Sequence, residues 1–220
     1  MVESEFGLCG RCWRDTPFIG GLVCDSCGTP LPGESDADEE HCDDCLRLSR
    51  PWKRGRSAVI YRDNGRKLVL ALKHGDRHDI CRPAALWMAR AARPLLRDDM
   101  IIVPVPLHWT RMLRRRFNQS ALLGQALGKI VNLPCIPDML IRRKRTLPLK
   151  SHDWNARFAE LDNAICAHPR HREGLCGKSI LLVDDVMTSG ATLGAAARAC
   201  LDEGAEHVSV LTLARVAKDA

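Results

Sequence analysis

Aromatic residues are scarce in this chain: Phe, Trp and Tyr supply only 5% of its 220 residues. So few rings leave little material for the stacked platforms on which proteins hold unpaired bases. Long apolar runs are missing too. No stretch reaches the roughly 18 apolar residues of a membrane-spanning helix, and the N-terminus lacks the basic-then-apolar order of an export signal. A cytoplasmic protein with no membrane partner is therefore expected. Repeats and low-complexity tracts are also absent. What is present suffices for a real core, since 45% of the residues are hydrophobic, and the length suits one domain or a domain with a small appendage.

The run Ile180 to Thr192, ILLVDDVMTSGAT, carries the most chemistry. Four apolar residues predict a buried strand, Ile180 to Val183, that delivers Asp184 and Asp185 to the carboxyl end of a parallel sheet, where open α/β folds bind ligands. Two carboxylates there can grip vicinal ribose hydroxyls, directly or through a divalent ion. Met187, Thr188, Ser189, Gly190, Ala191 and Thr192 then form a turn into a helix spanning Ala191 to Glu203. Its backbone N–H groups and positive end face an incoming phosphate, hydroxyls add donors, and Gly190 permits close approach. An ordinary strand with an exposed acidic turn and a capped helix uses many of the same residues, but not in this combined order. All thirteen positions resemble the phosphoribosyl pyrophosphate (PRPP) signature of type I phosphoribosyltransferases.

Eleven cysteines in a cytoplasmic chain point to metal or buried thiols rather than disulfides. Cys24-x-x-Cys27 and, after fourteen intervening residues, Cys42-x-x-Cys45 have zinc-ribbon spacing, each pair offering two thiolates to a tetrahedral Zn²⁺. Cys9 and Cys12 form a third pair without a matching half. They either compete for the same ion or belong to an incomplete second ribbon. The remaining cysteines lack ligand spacing and read as small buried apolar residues.

Charge divides the chain. Residues 1–49 carry a net −8, residues 50–160 a net +16 and residues 161–220 a net −2. The domain boundary is accordingly expected near Arg50, with a Cys-rich zinc-ribbon segment over 1–49 and an α/β domain over 50–220. Strands are expected at Ala58–Arg62, Ile101–Val105 and Ile136–Ile141 and from Ile180 and Val208, with helices over Arg66–Lys73, Ala84–Leu96 and Leu107–Ile130. Asn64-Gly65 reads as a turn. Alternation of this kind predicts a mostly parallel sheet with helices on both faces.

Two basic segments suit a pyrophosphate. In ALKHGDR, Lys73 and His74 meet Gly75 at a helix end; in VPVPLHWTRMLRRRFNQ, a strand leads into Arg111, Arg114, Arg115 and Arg116, whose guanidinium groups can bind phosphate bidentately. A solvated helix face is the plainer reading of any one arginine. Asn118 and Gln119 can fix loop geometry by side-chain hydrogen bonds.

The N-terminal CxxC pairs, ALKHGDR, VPVPLH with R-x-x-R-R-R-F-N-Q, and VDDVMTSGAT occur in an order that resembles the ComF family of competence-associated proteins, which includes the GntX-like proteins. The resemblance spans nearly the whole chain. It implies a type I phosphoribosyltransferase fold joined to a zinc-binding segment, and a link to handling of internalised DNA during transformation. It further implies a PRPP site at Asp184, Asp185 and 187–192, with Lys73, His74, Arg111 and Arg115 on the pyrophosphate. The family's T-x-x-Q stretch is replaced here by Thr146 and Lys150, and its following Arg/Asn-rich run by Arg157, Glu160, Leu161, Asn163 and Ala164.

The reaction so implied displaces pyrophosphate from C1 of PRPP by an unidentified nitrogen nucleophile, with Mg²⁺ neutralising the leaving group and Asp184 and Asp185 as catalytic residues orienting the ribose. Two non-catalytic readings stand beside it. In one, the basic middle segment binds single-stranded DNA and the fold senses phosphate. In the other, the ribbon docks a DNA-uptake helicase.

Overall fold

The computed structural model describes residues 7–34, 39–74, 77–108, 117–143 and 164–217, apart from the side chains of His74 and His78. Four strands form a parallel sheet in the order β1-β6-β5-β2: β1 is Arg54–Ile60, β2 Met100–Pro104, β5 Ser179–Met187 and β6 His207–Arg215. A separate antiparallel pair joins β3, Leu140–Arg142, to β4, Ile165–Ala167.

Alternation along the central strands sends side chains to two different cores. Leu181 and Val183 of β5 face one cluster with Leu211 and Leu213 of β6. Into it pack helix α3, Asp63–His74, through Val69 and Leu72, helix α4, Cys81–Ala92, through Trp87 and Met88, and helix α5, Gln119–Val131, through Leu123 and Leu127. Ile180 and Leu182 face the opposite cluster with helix α6, Ala191–Leu201, and the β3–β4 pair. The alanines of α6 keep its inner face flat enough to lie against the sheet. Both faces are covered, so the central strands read as continuous apolar runs.

The same second cluster contains Cys24, Cys27 and Trp52. The cysteine-rich segment, with short helices α1 at Gly10–Arg14 and α2 at Asp43–Arg47, is thus packed onto the α/β body. Asp25 anchors it: its Oδ1 accepts from Arg56 Nη2 at 2.6 Å and lies 3.7 Å from Arg54 Nε. On the other side, Trp13, Phe18 and Trp87 form a ring cluster with centroid separations from 4.5 to 6.3 Å.

Several sequence expectations shift. Strand β1 starts at Arg54 rather than Ala58, because parallel pairing with Ser209 to Arg215 of β6 recruits the basic residues before the apolar run. Asn64-Gly65 lies inside the first turn of α3 and is not a preceding turn. Glycine is needed there because a Cβ would come within 2.3 Å of Ile60 O. Helix α4 begins at Cys81 and ends at Ala92, displaced toward the N-terminus. Helix α5 starts only at Gln119, where Asn118 Oδ1 caps it by accepting from Ser120 N at 3.1 Å; Val105 to His108 are not helical, and residues 109–116 lie outside the described set. Strand β3 occupies only the end of the expected Ile136–Ile141 segment. Among the described residues, no helix is long and apolar enough to cross a membrane.

Candidate functional site

Strand β5 does not stop before its acids. It continues through Asp184 and Asp185 to Met187, because Asp184, Val186 and Met187 pair with Thr212, Ala214 and Arg215 of β6. The carboxylates therefore sit on backbone still paired with β6, one step beyond the end of the β2 pairing at Val183, and take separate partners. Asp184 Oδ1 accepts from Ser120 Oγ at 2.8 Å and from Asp185 N at 2.8 Å. Asp185 Oδ1 lies 3.1 Å from Lys73 Nζ at the end of α3. Burial pushes the Asp184 carboxyl up to about 7, with a further upward push from the neighbouring Asp185 charge and opposing contributions from Ser120 and Lys73.

Beyond Met187 the chain makes a tight elbow into α6. Gly190 has φ +81°, a left-handed conformation natural to glycine, and a Cβ there would lie 3.0 Å from both Arg50 Nη1 and Trp52 Cη2. The elbow's carbonyls are held from behind. Arg50 Nη1 donates to Ser189 O at 2.7 Å, while Arg215 Nη1 donates to Thr188 O at 2.6 Å and Met187 O at 3.2 Å. The amides of Thr188, Ser189 and Gly190 donate to no protein acceptor among the described residues. Thr188 is exposed, and a recess of about 30 Å³ is lined by Asp184, Met187, Thr188, Ser189, Gly190 and Thr192 among others. These amides, a hydroxyl and the start of an eleven-residue helix are the donor set that can receive an anion.

Of the expected pyrophosphate groups, Lys73 meets the acids, whereas the His74 side chain and all of Arg111 and Arg115 lie outside the described residues. Thr146, Lys150, Arg157, Glu160, Leu161 and Asn163 lie outside them as well. Asn118 fixes the loop after β2 by donating from Nδ2 to Val105 O at 3.0 Å. Sequence reasoning missed Ser120, Arg50 and Arg215. The adjoining Asn-Gln pair pointed to the neighbourhood of Ser120, but nothing local marked the two arginines.

The ligand atoms of Cys24, Cys27, Cys42 and Cys45 all lie within 4.8 Å of one another, and Cys27 Sγ is 3.7 Å from Cys42 Sγ. A tetrahedron with metal–sulfur bonds of about 2.3 Å has sulfur–sulfur edges of roughly 3.8 Å, so the cluster fits Zn²⁺. Hydrogen bonds from Cys24 and Cys45 hold the Cys27 sulfur well below the ordinary thiol range, and contacts with Cys24 and Cys27 push Cys45 above it. A divalent ion replaces such unequal proton sharing with four thiolates. Cys9 and Cys12 stand apart from this cluster: Cys9 Sγ accepts from Cys12 N at 3.5 Å and caps α1.

Two family models match: a double zinc ribbon domain over residues 1–46 and a phosphoribosyl transferase domain over residues 143–220. The DNA utilization protein YhgH of Salmonella typhimurium is 32% identical, the match covering 98% of this chain and 93% of that protein. The chain belongs to the ComF family. Competence protein ComFC of Bacillus subtilis is 28% identical over 98% of this chain and 87% of its own length. Competence protein F of Haemophilus influenzae is 28% identical over 96% and 92%. This ComF-type protein thus joins a structural zinc site to a phosphoribosyltransferase domain in which Asp184 and Asp185 stand on β5 just before the elbow into α6.

Proposed function

We propose that this ComF protein binds PRPP, or a closely related phosphoribosyl compound, with the 5′ phosphate in the 187–192 elbow and the ribose over Asp184 and Asp185. The observation that carries the reading is the division of labour within the elbow: its carbonyls are engaged by Arg50 and Arg215, while the amides of Thr188, Ser189 and Gly190 meet no acceptor among the described residues. Lys73 brings a cation to the acids, where the pyrophosphate end of the ligand needs one. Asp184 and Asp185 would help to hold Mg²⁺, which supplies neutralising charge to a pyrophosphate leaving group. Glycosyl transfer to a nitrogen acceptor is the reaction such a site can perform, Asp184 and Asp185 orienting the ribose by its hydroxyls.

The names of the relatives, competence and DNA utilization, support a place for this chemistry in the use of internalised DNA. Calorimetric titration of Mg²⁺ and PRPP into the wild type and Asp185→Asn tests the ligand. Heat in the wild type alone is expected, and no heat in the wild type overturns the reading. Pyrophosphate release that requires PRPP and vanishes in Asp184→Asn would establish turnover. Binding without release at any acceptor leaves a phosphoribosyl sensor, for which salt-sensitive binding of single-stranded DNA or capture of an uptake helicase is then the output to measure.

A further inference from the structure

The zinc knuckle and the phosphate elbow are distant in sequence but share two buried guanidinium groups. Arg215, 3% exposed at the end of β6, donates to Met187 O and Thr188 O through Nη1, and its Nη2 lies 3.8 Å from Cys27 Sγ. Arg50 donates to Ser189 O at 2.7 Å and lies over Trp52, its Cζ 5.3 Å from the ring centroid. Trp52 in turn donates from Nε1 to Ser26 O, inside the Cys24–Cys27 turn. Every carbonyl from Met187 to Ser189 is therefore fixed by a group tied to the metal knuckle, Arg215 directly through Cys27 and Arg50 through Trp52.

We propose that Arg50 and Arg215 are positioning residues through which the four-cysteine zinc knuckle holds the phosphate elbow open, so that occupancy of the metal site sets the affinity of the ligand site. The physical reason is geometric. The two sides of a peptide plane are rigidly opposed, so fixing a carbonyl on the knuckle side turns the neighbouring amide toward the recess. Without the metal, the thiol cluster repacks, the guanidinium groups lose sulfur and ring partners, and the elbow's amides are free to rotate. The coupling is reciprocal, so a ligand in the elbow tightens the metal site by the same factor.

The ligand half of this inference rests on the PRPP reading above, but the elbow's order can be measured without any ligand. Elbow order is read from hydrogen exchange of the Ala191, Gly194 and Val216 amides, which donate to Ser189 Oγ, Gly190 O and Met187 O, compared in the zinc-loaded wild type, the zinc-depleted wild type, and zinc-loaded Arg50→Met, Arg215→Met and Arg215→Lys. Zinc removal and either Met variant are expected to speed exchange there by about tenfold or more, as loss of hydrogen bonds to a charged group implies, with the Lys variant partly restored and α5 unchanged. Unchanged elbow exchange in Arg50→Met with its zinc retained overturns the proposal, and this variant decides the matter if depletion or Arg215→Met unfolds the chain. A second readout is competition for zinc against a chromophoric chelator. Mg·PRPP should raise the wild type's zinc affinity about fivefold or more, and not that of Arg50→Met. If the wild type binds no Mg·PRPP while elbow exchange still follows zinc and Arg50, the ligand reading fails and the positioning role stands.

Discussion

Lys73 Nζ lies 3.1 Å from Asp185 Oδ1, with both side chains less than one-fifth exposed. A cation from α3 thereby offsets one member of an acid pair that would otherwise repel across adjacent residues. Lys73→Met should lower unfolding stability by about 2 kcal/mol, in the range for a partly buried charged hydrogen bond, and weaken Mg·PRPP binding. Urea denaturation of Lys73→Met, Asp185→Asn and the double variant gives the coupling; additive effects would show that the pair does not interact.

Asp184 should impose a pH dependence on folding. Its folded pKa of about 7 exceeds the usual carboxylate value of 3.8, so the folded state holds the proton more tightly. The associated stability is present in full below about pH 4 and is lost as pH rises toward 7. Asp184→Asn removes this contribution, keeps an acceptor for Ser120, and should be more stable than wild type at pH 8. Equal stability changes for the two proteins between pH 5 and pH 8 would contradict the assignment.

Ser120 Oγ donates to Asp184 at 2.8 Å and works against the upward shift caused by burial. Ser120→Ala should cost about 1 kcal/mol and move the titration midpoint of the pH–stability profile upward. A midpoint that stays fixed would place the control of Asp184 elsewhere.

Gly190→Ala combines a φ of +81° with a Cβ 3.0 Å from Arg50 and Trp52. The strain alone is on the order of 1 kcal/mol, and relief requires the elbow to shift away from Arg50. Loss of Mg·PRPP heat with a folded circular dichroism spectrum is expected; undiminished binding would show that the elbow does not contact the phosphate.

Metal analysis should find one zinc per chain, since Cys9 and Cys12 lie outside the four-cysteine cluster. Cys24→Ser should abolish the zinc, and Cys9→Ser should leave it in place. Two equivalents in the wild type would assign Cys9 and Cys12 a metal of their own.

Much of the fold was legible because its signals are local. The spacing of Cys24, Cys27, Cys42 and Cys45 encodes a tetrahedral site, and the apolar run before Asp184 encodes a strand buried on both faces. Boundaries were less legible. Strand β1 begins at Arg54 because β6 lies beside it, and a basic residue shows no strand preference of its own. Strand β5 runs through both acids for a similar reason: its pairing with β6 continues past the point where the apolar pattern ends.

Sequence alone determined the chemical inventory of this protein: two adjacent carboxylates, a small hydroxyl-bearing elbow before a helix, and four thiols at ribbon spacing. Those features lie within short stretches of chain, where periodicity and ligand spacing act directly. Only the tertiary structure decided which charges meet. Lys73 reaches Asp185, Ser120 reaches Asp184, and Arg215 spans from Thr188 to Cys27 because sheet pairing and two separate cores bring distant segments within hydrogen-bonding range. Pairings of that kind depend on the summed packing of the whole chain, and no local pattern encodes them.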